Sequence, residues 1–146
     1  MQAVQIDELE LFEAWSQSDS GMRVRAGFPI SSGTGTKSTA VVYFELEAGD
    51  HLGSHTDSAE EILLILEGQG EATIGDEQAP DQTGTLAVIP ALVPHSVKNI
   101  GEEKLRVVGF FSSSAVLSIF DDPMEPFATR YFMTPMIEEE ATVTAA

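Results

Sequence analysis

The chain has 146 residues, 42% hydrophobic and 21% charged, a composition that fits a globular protein with one substantial core and argues against a disordered chain. Asp and Glu number 24 against 7 Lys and Arg, a formal net charge of −17, which disfavours phosphate neutralisation on a nucleic acid and attraction to an anionic membrane surface. Cysteine is absent, so disulfides, iron–sulfur clusters and thiolate metal sites are excluded. No basic-then-apolar leader opens the sequence, and no apolar run approaches the roughly 20 residues of a membrane span. The expectation is a soluble cytoplasmic protein of one domain, residues 1–146, without nucleic-acid or membrane partners.

Residues 7–16 read as a short N-terminal helix: Asp7 is a capping residue, and Leu9, Phe12 and Trp15 recur at helical spacing. A turn at 18–21 follows, then a strand over 22–28 that Pro29 should end. After a Ser/Thr/Gly loop at 31–36, residues 39–47 alternate, with Val42, Phe44 and Leu46 on one face. Further short strands are expected at 62–66, 72–74, 85–89, 95–99, 105–111 and 116–120, with Gly, Pro, Asn or Asp in most gaps. Many short, evenly spaced strands point to an all-β sandwich or barrel, with a barrel core of about 22–120. The acidic run at 138–140 begins what reads as a frayed tail, 137–146. Residues 33–38, Gly-Thr-Gly-Thr-Lys-Ser, only imitate a phosphate loop, because Thr36 stands where a glycine must precede the lysine and a strand follows instead of a helix.

The polar residues that carry chemistry fall between 49 and 99. Side chains two apart share a strand face, so an extended 53–57 points His55 and Asp57 the same way. A corner at 58–59 brings Glu61 round on the next strand, and the proline-rich bend at 90–94 delivers His95. Two imidazoles and two carboxylates without sulfur suit one divalent ion such as Fe(II), Mn(II), Zn(II) or Ni(II).

Two spaced motifs resemble those of the cupin family. Gly49, His55, Glu61 and Gly68 fall in register with its first motif, and Gly84, Pro90, His95 and Asn99 with its second, with residues 69–83 between them. The resemblance implies an all-β, double-stranded β-helix (jelly-roll) barrel with a metal held by His55, Glu61 and His95, and by family precedent a homodimer. Two positions depart from it. Leu92 replaces the second motif's glycine, and Asp57 stands where the second histidine of His-x-His belongs. Asp57 is either a fourth ligand or a catalytic base beside the metal; without it, two histidines and one carboxylate remain, a set that leaves open coordination positions.

His51 lies in phase with His55 if the strand starts early, which makes it a catalytic acid/base candidate; otherwise it completes the Gly49–Asp50 turn. Arg23 and Arg25 share a strand face and either grip a substrate carboxylate or pair with surface acids, as does Arg106. Tyr43, Phe110, Phe111, Phe120 and Met133 are candidates for a pocket wall or for core packing. No nucleophile elbow is present. The resemblance implies a metal-dependent enzyme acting on a small organic molecule, dioxygenase-type or an isomerase or lyase, with a non-catalytic ligand-binding module as the alternative.

Overall fold

The computed structural model describes residues 3–135. Their strands are β1 Phe12–Trp15, β2 Arg23–Ile30, β3 Ala40–Leu46, β4 His51–Asp57, β5 Glu61–Glu67, β6 Gln69–Ile74, β7 Glu77–Gln82, β8 Leu86–Ile89, β9 His95–Asn99, β10 Leu105–Phe111, β11 Val116–Met124 and β12 Thr129–Thr134. They form two six-stranded antiparallel sheets, β1-β2-β3-β10-β5-β8 and β12-β11-β4-β9-β6-β7, in a jelly-roll arrangement. No helix among the described residues is long and apolar enough to cross a membrane.

Alternation builds the core. Leu63 and Ile65 on β5, Leu105 and Val107 on β10, Phe44 and Leu46 on β3 and Val97 on β9 are all buried and meet in one cluster between the sheets. Strands such as β5 and β9 bury one face and turn the other outward, the pattern of sheets packed face to face. Asn99 ties the motifs together from within: its side-chain amide donates to the Leu46 and Glu103 carbonyls at 2.9 and 2.8 Å. Gly68 has a φ of +102°, and a Cβ there would meet the Lys104 carbonyl at 2.8 Å, so only glycine fits that turn.

The expected N-terminal helix does not form. Ile6–Glu8 makes a 3-10 turn, and Phe12–Trp15 pairs with β2, Phe12 opposite Ala26 and Trp15 opposite Arg23. A stripe of three apolar residues is too short to hold a helix against the hydrogen bonds that a sheet edge offers. Pro29 does not end β2 either. The pairing with β3 shifts register between Gly27 and Ile30, and the proline sits in that irregularity, where no ladder donor is required. Strands β1, β7 and β12 lie outside the expected set, and the anticipated tail at 137–146 lies outside the described residues.

Candidate metal centre

β4 carries the centre. It lies between β9 and β11, so His55 is opposite His95 on one side and Phe120 on the other, while Asp57 is opposite Ser118. The His55 ring stacks on Phe120, centroids 4.4 Å apart, and lies 4.1 Å from the His95 ring. Glu61 enters from the facing sheet at the start of β5. Gly109, its neighbour on β10, leaves the space that the Glu61 carboxylate occupies.

Both imidazoles are oriented by backbone. His55 Nδ1 donates to the Gly53 carbonyl and His95 Nδ1 to the Val93 carbonyl, each at 2.9 Å. That leaves both Nε2 atoms facing the site, the arrangement by which metal-ligating histidines are held. Asp57 Oδ2 is 3.7 Å from His55 Nε2 and 3.0 Å from His95 Nε2, and Glu61 Oε1 is 3.6 Å from His95 Nε2. Ser118 Oγ donates to Asp57 Oδ1 at 2.5 Å. Although Asp57 Oδ2 and His95 Nε2 are close, their orientation makes no hydrogen bond, and both are buried without a partner. One ligand atom from each of His55, Asp57 and His95 falls within 4.8 Å of the others.

Burial and mutual contact set the charges. Burial, aided by the nearby His95, pulls the His55 imidazole down to about 4, so it is neutral and ready to donate a lone pair. Burial alone would lower His95 too, yet the Asp57 and Glu61 contacts outweigh it and push His95 up to about 10. Burial works to raise Asp57, but the two histidines and Ser118 hold its carboxyl below the usual range. Glu61 is pushed up to about 7 by burial first, with the Asp57 charge adding to it. A buried nest of two imidazoles and two carboxylates, with unpaired atoms aimed at one another, fits a divalent cation with mixed nitrogen and oxygen ligands.

Above the centre is a cavity of about 70 Å³ lined by His55, Asp57, Glu61, His95, Ser118 and otherwise by apolar side chains, including Phe28, Phe44, Leu63, Phe111, Phe120 and Phe132. Of the wall candidates, Phe111 and Phe120 line it; Tyr43, Phe110 and Met133 do not. Strand parity explains the difference. On β3, Val42 and Phe44 face the cavity and Tyr43 faces away, where its hydroxyl donates to Glu45 at 2.7 Å and accepts from Arg106 at 2.8 Å. On β10, Phe111 faces in and Phe110 is exposed. On β2, Val24 and Ala26 face in, so Arg23 and Arg25 point to solvent and pair with Glu13 and Glu45. A substrate grip by Arg23, Arg25, Tyr43 or Phe110 therefore does not fit this cavity.

His51 is likewise displaced from the centre. The β4–β9 register runs His51–Lys98 and Leu52–Val97 but then His55–His95, so β4 has one extra residue, a bulge at Gly53–Ser54. The bulge breaks the phase, and Leu52 rather than His51 turns into the cavity. His51 instead bonds Asp19 at 2.9 Å in a separate polar pocket that also contains Asp121 and Asp122. Ser118 and Gly109 escaped sequence reasoning. Ser118 shares a face with Phe120 two residues on, and that alternation was its one available signal.

Residues 42–111 match the family model described as "Cupin domain". A segment of 51 residues is 37% identical to an uncharacterized protein of Methanocaldococcus jannaschii, covering 35% of this chain and 41% of that one. Among solved structures, the oxalate decarboxylase of Lactobacillus farciminis aligns with a TM-score of 0.68 and 18% identity, over 80% of this chain and 34% of that chain. A predicted oxalate decarboxylase of Thermotoga maritima aligns at 0.64 and 21%, over 77% and 99% of the two chains. The Cnp3 cupin domain of Schizosaccharomyces pombe aligns at 0.62 and 18%, over 76% and 73%. The chain thus spans about a third of the Lactobacillus chain and less than half of the Methanocaldococcus protein. With this match laid over both motifs, and with the two sheets in a jelly-roll arrangement, residues 42–111 of the chain are a cupin domain.

Proposed function

We propose that the chain is a metal-dependent enzyme acting on a small organic molecule, with one divalent ion held by His55, Asp57 and His95 and with Glu61 beside them. The observation that carries this reading is the pair of buried, unpartnered atoms, Asp57 Oδ2 and His95 Nε2, which lie together with a His55 nitrogen within 4.8 Å. The donor set suits Fe(II), Mn(II), Zn(II) or Ni(II), and the two carboxylates favour the harder Fe(II) and Mn(II). When bound, such an ion polarises a substrate oxygen or, as iron, supports oxygen chemistry.

The residues divide the work. His55 and His95 present Nε2 because their Nδ1 atoms are tied to backbone. Ser118 fixes the Asp57 carboxylate, and Glu61, buried at the cavity's polar end, can hold or release a proton there. The apolar walls exclude water from the reacting end. A dioxygenase-type reaction is favoured by the small ligand set, which leaves coordination positions open. The decarboxylase named among the structural neighbours marks lyase chemistry as the competing reaction class. The chain works in the cytoplasm as a homodimer, with the exposed row Phe110–Ile62–Val88 on the outer sheet face as its contact.

Metal content by mass spectrometry tests the reading, with wild type beside His95→Ala and Asp57→Ala. About one ion per chain in the wild type, lost in both variants, is the expected result. Protein that holds no metal after reconstitution with each of the four ions overturns it and leaves a ligand-binding barrel.

A further inference from the structure

The cavity is polar at one end only. There, Ser118, Asp57, His95, His55 and Glu61 form a single chain of contacts, from the 2.5 Å Ser118–Asp57 hydrogen bond to the 3.6 Å approach of Glu61 to His95. Every other lining residue is apolar, and no Arg or Lys is among them. The anionic side chains already present, Asp57 and Glu61, supply as many as two negative charges toward a divalent ion. One further anionic group leaves that end with no more than one net negative charge. A second would rest among Phe44, Leu63 and Phe132 with no counter-charge and no hydrogen-bond donor, and burying an unpaired carboxylate in apolar surroundings is strongly unfavourable.

Size narrows the class further. An apolar cavity of about 150 Å³ takes benzene, so by proportion about three carbon atoms occupy the space here. The volume is about 70 Å³. Resting on the metal reading above, we propose that this site selects a short-chain molecule with a single oxygen-bearing head and at most one negative charge. Its head lies against His55, Asp57 and His95, and its apolar tail of about three carbons lies among Phe44, Leu63 and Phe132. Dicarboxylates are excluded by the tail end of the cavity, whatever the head can bind.

Butyrate and succinate separate the two cases, because they share the carboxylate head and differ at the far end, where succinate carries a second charge. The protein is loaded with Co(II), its metal content is measured, and its visible absorption is followed during titration with each acid at pH 7. Butyrate is expected to shift the spectrum with a Kd at least tenfold below that of succinate. A dicarboxylate is the better ligand for free Co(II), so that order has to come from the protein. Cobalt held at one per chain with succinate binding as tightly as butyrate overturns this inference alone. Failure to hold cobalt overturns the metal reading and this inference with it.

Discussion

Gly109→Ala isolates how the fold makes room for Glu61. A Cβ at 109 would overlap Glu61 Oε2 outright, and would lie 3.0 Å from Glu61 Cδ and 2.9 Å from Val42 Cγ1. Both neighbours are fixed by pairing, since Val42 on β3 is opposite Gly109, and Glu61 on β5 is opposite Phe111 on β10 and Ile89 on β8. Glu61 is buried, so its carboxylate has no solvent to swing into and has to leave its place beside His95. Overpacking of this kind costs about 1–3 kcal/mol. Two of the three close contacts are to Glu61, so most of the penalty belongs to that residue. In a Glu61→Ala background the same substitution should cost about 1 kcal/mol or less, giving a coupling of about 1–2 kcal/mol. Urea unfolding of the four metal-free proteins measures it directly. The double variant distinguishes a clash with Glu61 from a general intolerance of bulk on β10. Equal cost of Gly109→Ala in both backgrounds, a coupling below about 0.5 kcal/mol, refutes the reasoning.

Ser118→Ala removes the hydroxyl that donates to Asp57 Oδ1 and should destabilise the metal-free protein by about 1.5–3 kcal/mol, read by chemical denaturation. It should also move the acid-unfolding midpoint to higher pH, because one of the groups holding the Asp57 carboxyl low is gone. Metal binding at pH 7 should release at least about one proton, since His95 is held protonated up to about 10 and must lose its proton to bind; calorimetry in two buffers of different ionisation enthalpy counts it. Affinity should accordingly rise about tenfold per pH unit above neutrality until His95 has titrated. The metal-free fold should weaken as pH rises above about 6.5; below that, the His55 contribution, gained between about 4 and 6.5, opposes the Glu61 loss. The Glu61 contribution is lost from about 4.5 to about 7, because the folded state binds the extra proton there; that of His95 is complete below about 6.5 and lost as pH passes through about 10. A melting temperature higher at pH 9 than at pH 5.5 contradicts this. Leu92, exposed and at a φ of 66°, occupies a left-handed position that costs an L-residue about 1–2 kcal/mol, partly offset by the chain entropy that glycine adds to the unfolded state. Leu92→Gly should therefore stabilise the fold by about 0.5 kcal/mol in urea titration.

The buried strands could be read from the sequence because their alternation is set by what they bury. β5 carries Leu63 and Ile65 inward, and β10 carries Val107, so their hydrophobic period survives in the chain. β7 had no such signal. It reads Glu-Gln-Ala-Pro-Asp-Gln, is almost wholly exposed, and owes its form to pairing with β6 through a turn at Gly75, whose φ is +58°. The one residue it buries is Asp81, which accepts the Ala72 N–H at 3.2 Å, and no hydrophobicity pattern announces that. Phe12–Trp15 was misread for a related reason: edge pairing decides its form, and pairing partners are far away in sequence. At the site, the convergence of His55, Asp57, Glu61 and His95 was expected from strand alternation together with the motif resemblance. The β4 bulge was not, and a single extra residue sent His51 to another pocket. Arg23 and Arg25 were placed correctly on a common face, but only the structure tells which face of β2 meets the cavity.

Asp57 departs from the family motif, and its surroundings bear on what that departure does. Its carboxylate has a dedicated donor in Ser118, and its carbonyl accepts the Leu92 N–H at 2.9 Å, next to the other departing position. A histidine here would be neutral, whereas aspartate adds one negative charge to a cavity whose lining contains no Arg or Lys. That charge neutralises a bound divalent ion more fully and leaves less attraction for an anionic substrate. If the preference for a single-charge substrate arises at both ends of the cavity, Asp57→His should relax only the contribution from the head. Succinate affinity for the cobalt-loaded variant should rise more than butyrate affinity does, while butyrate remains the tighter ligand, because the tail among Phe44, Leu63 and Phe132 is unchanged. A reversal in favour of succinate would place the whole selectivity at the metal and remove the apolar wall from the explanation. An unchanged ratio would instead assign all of it to the wall.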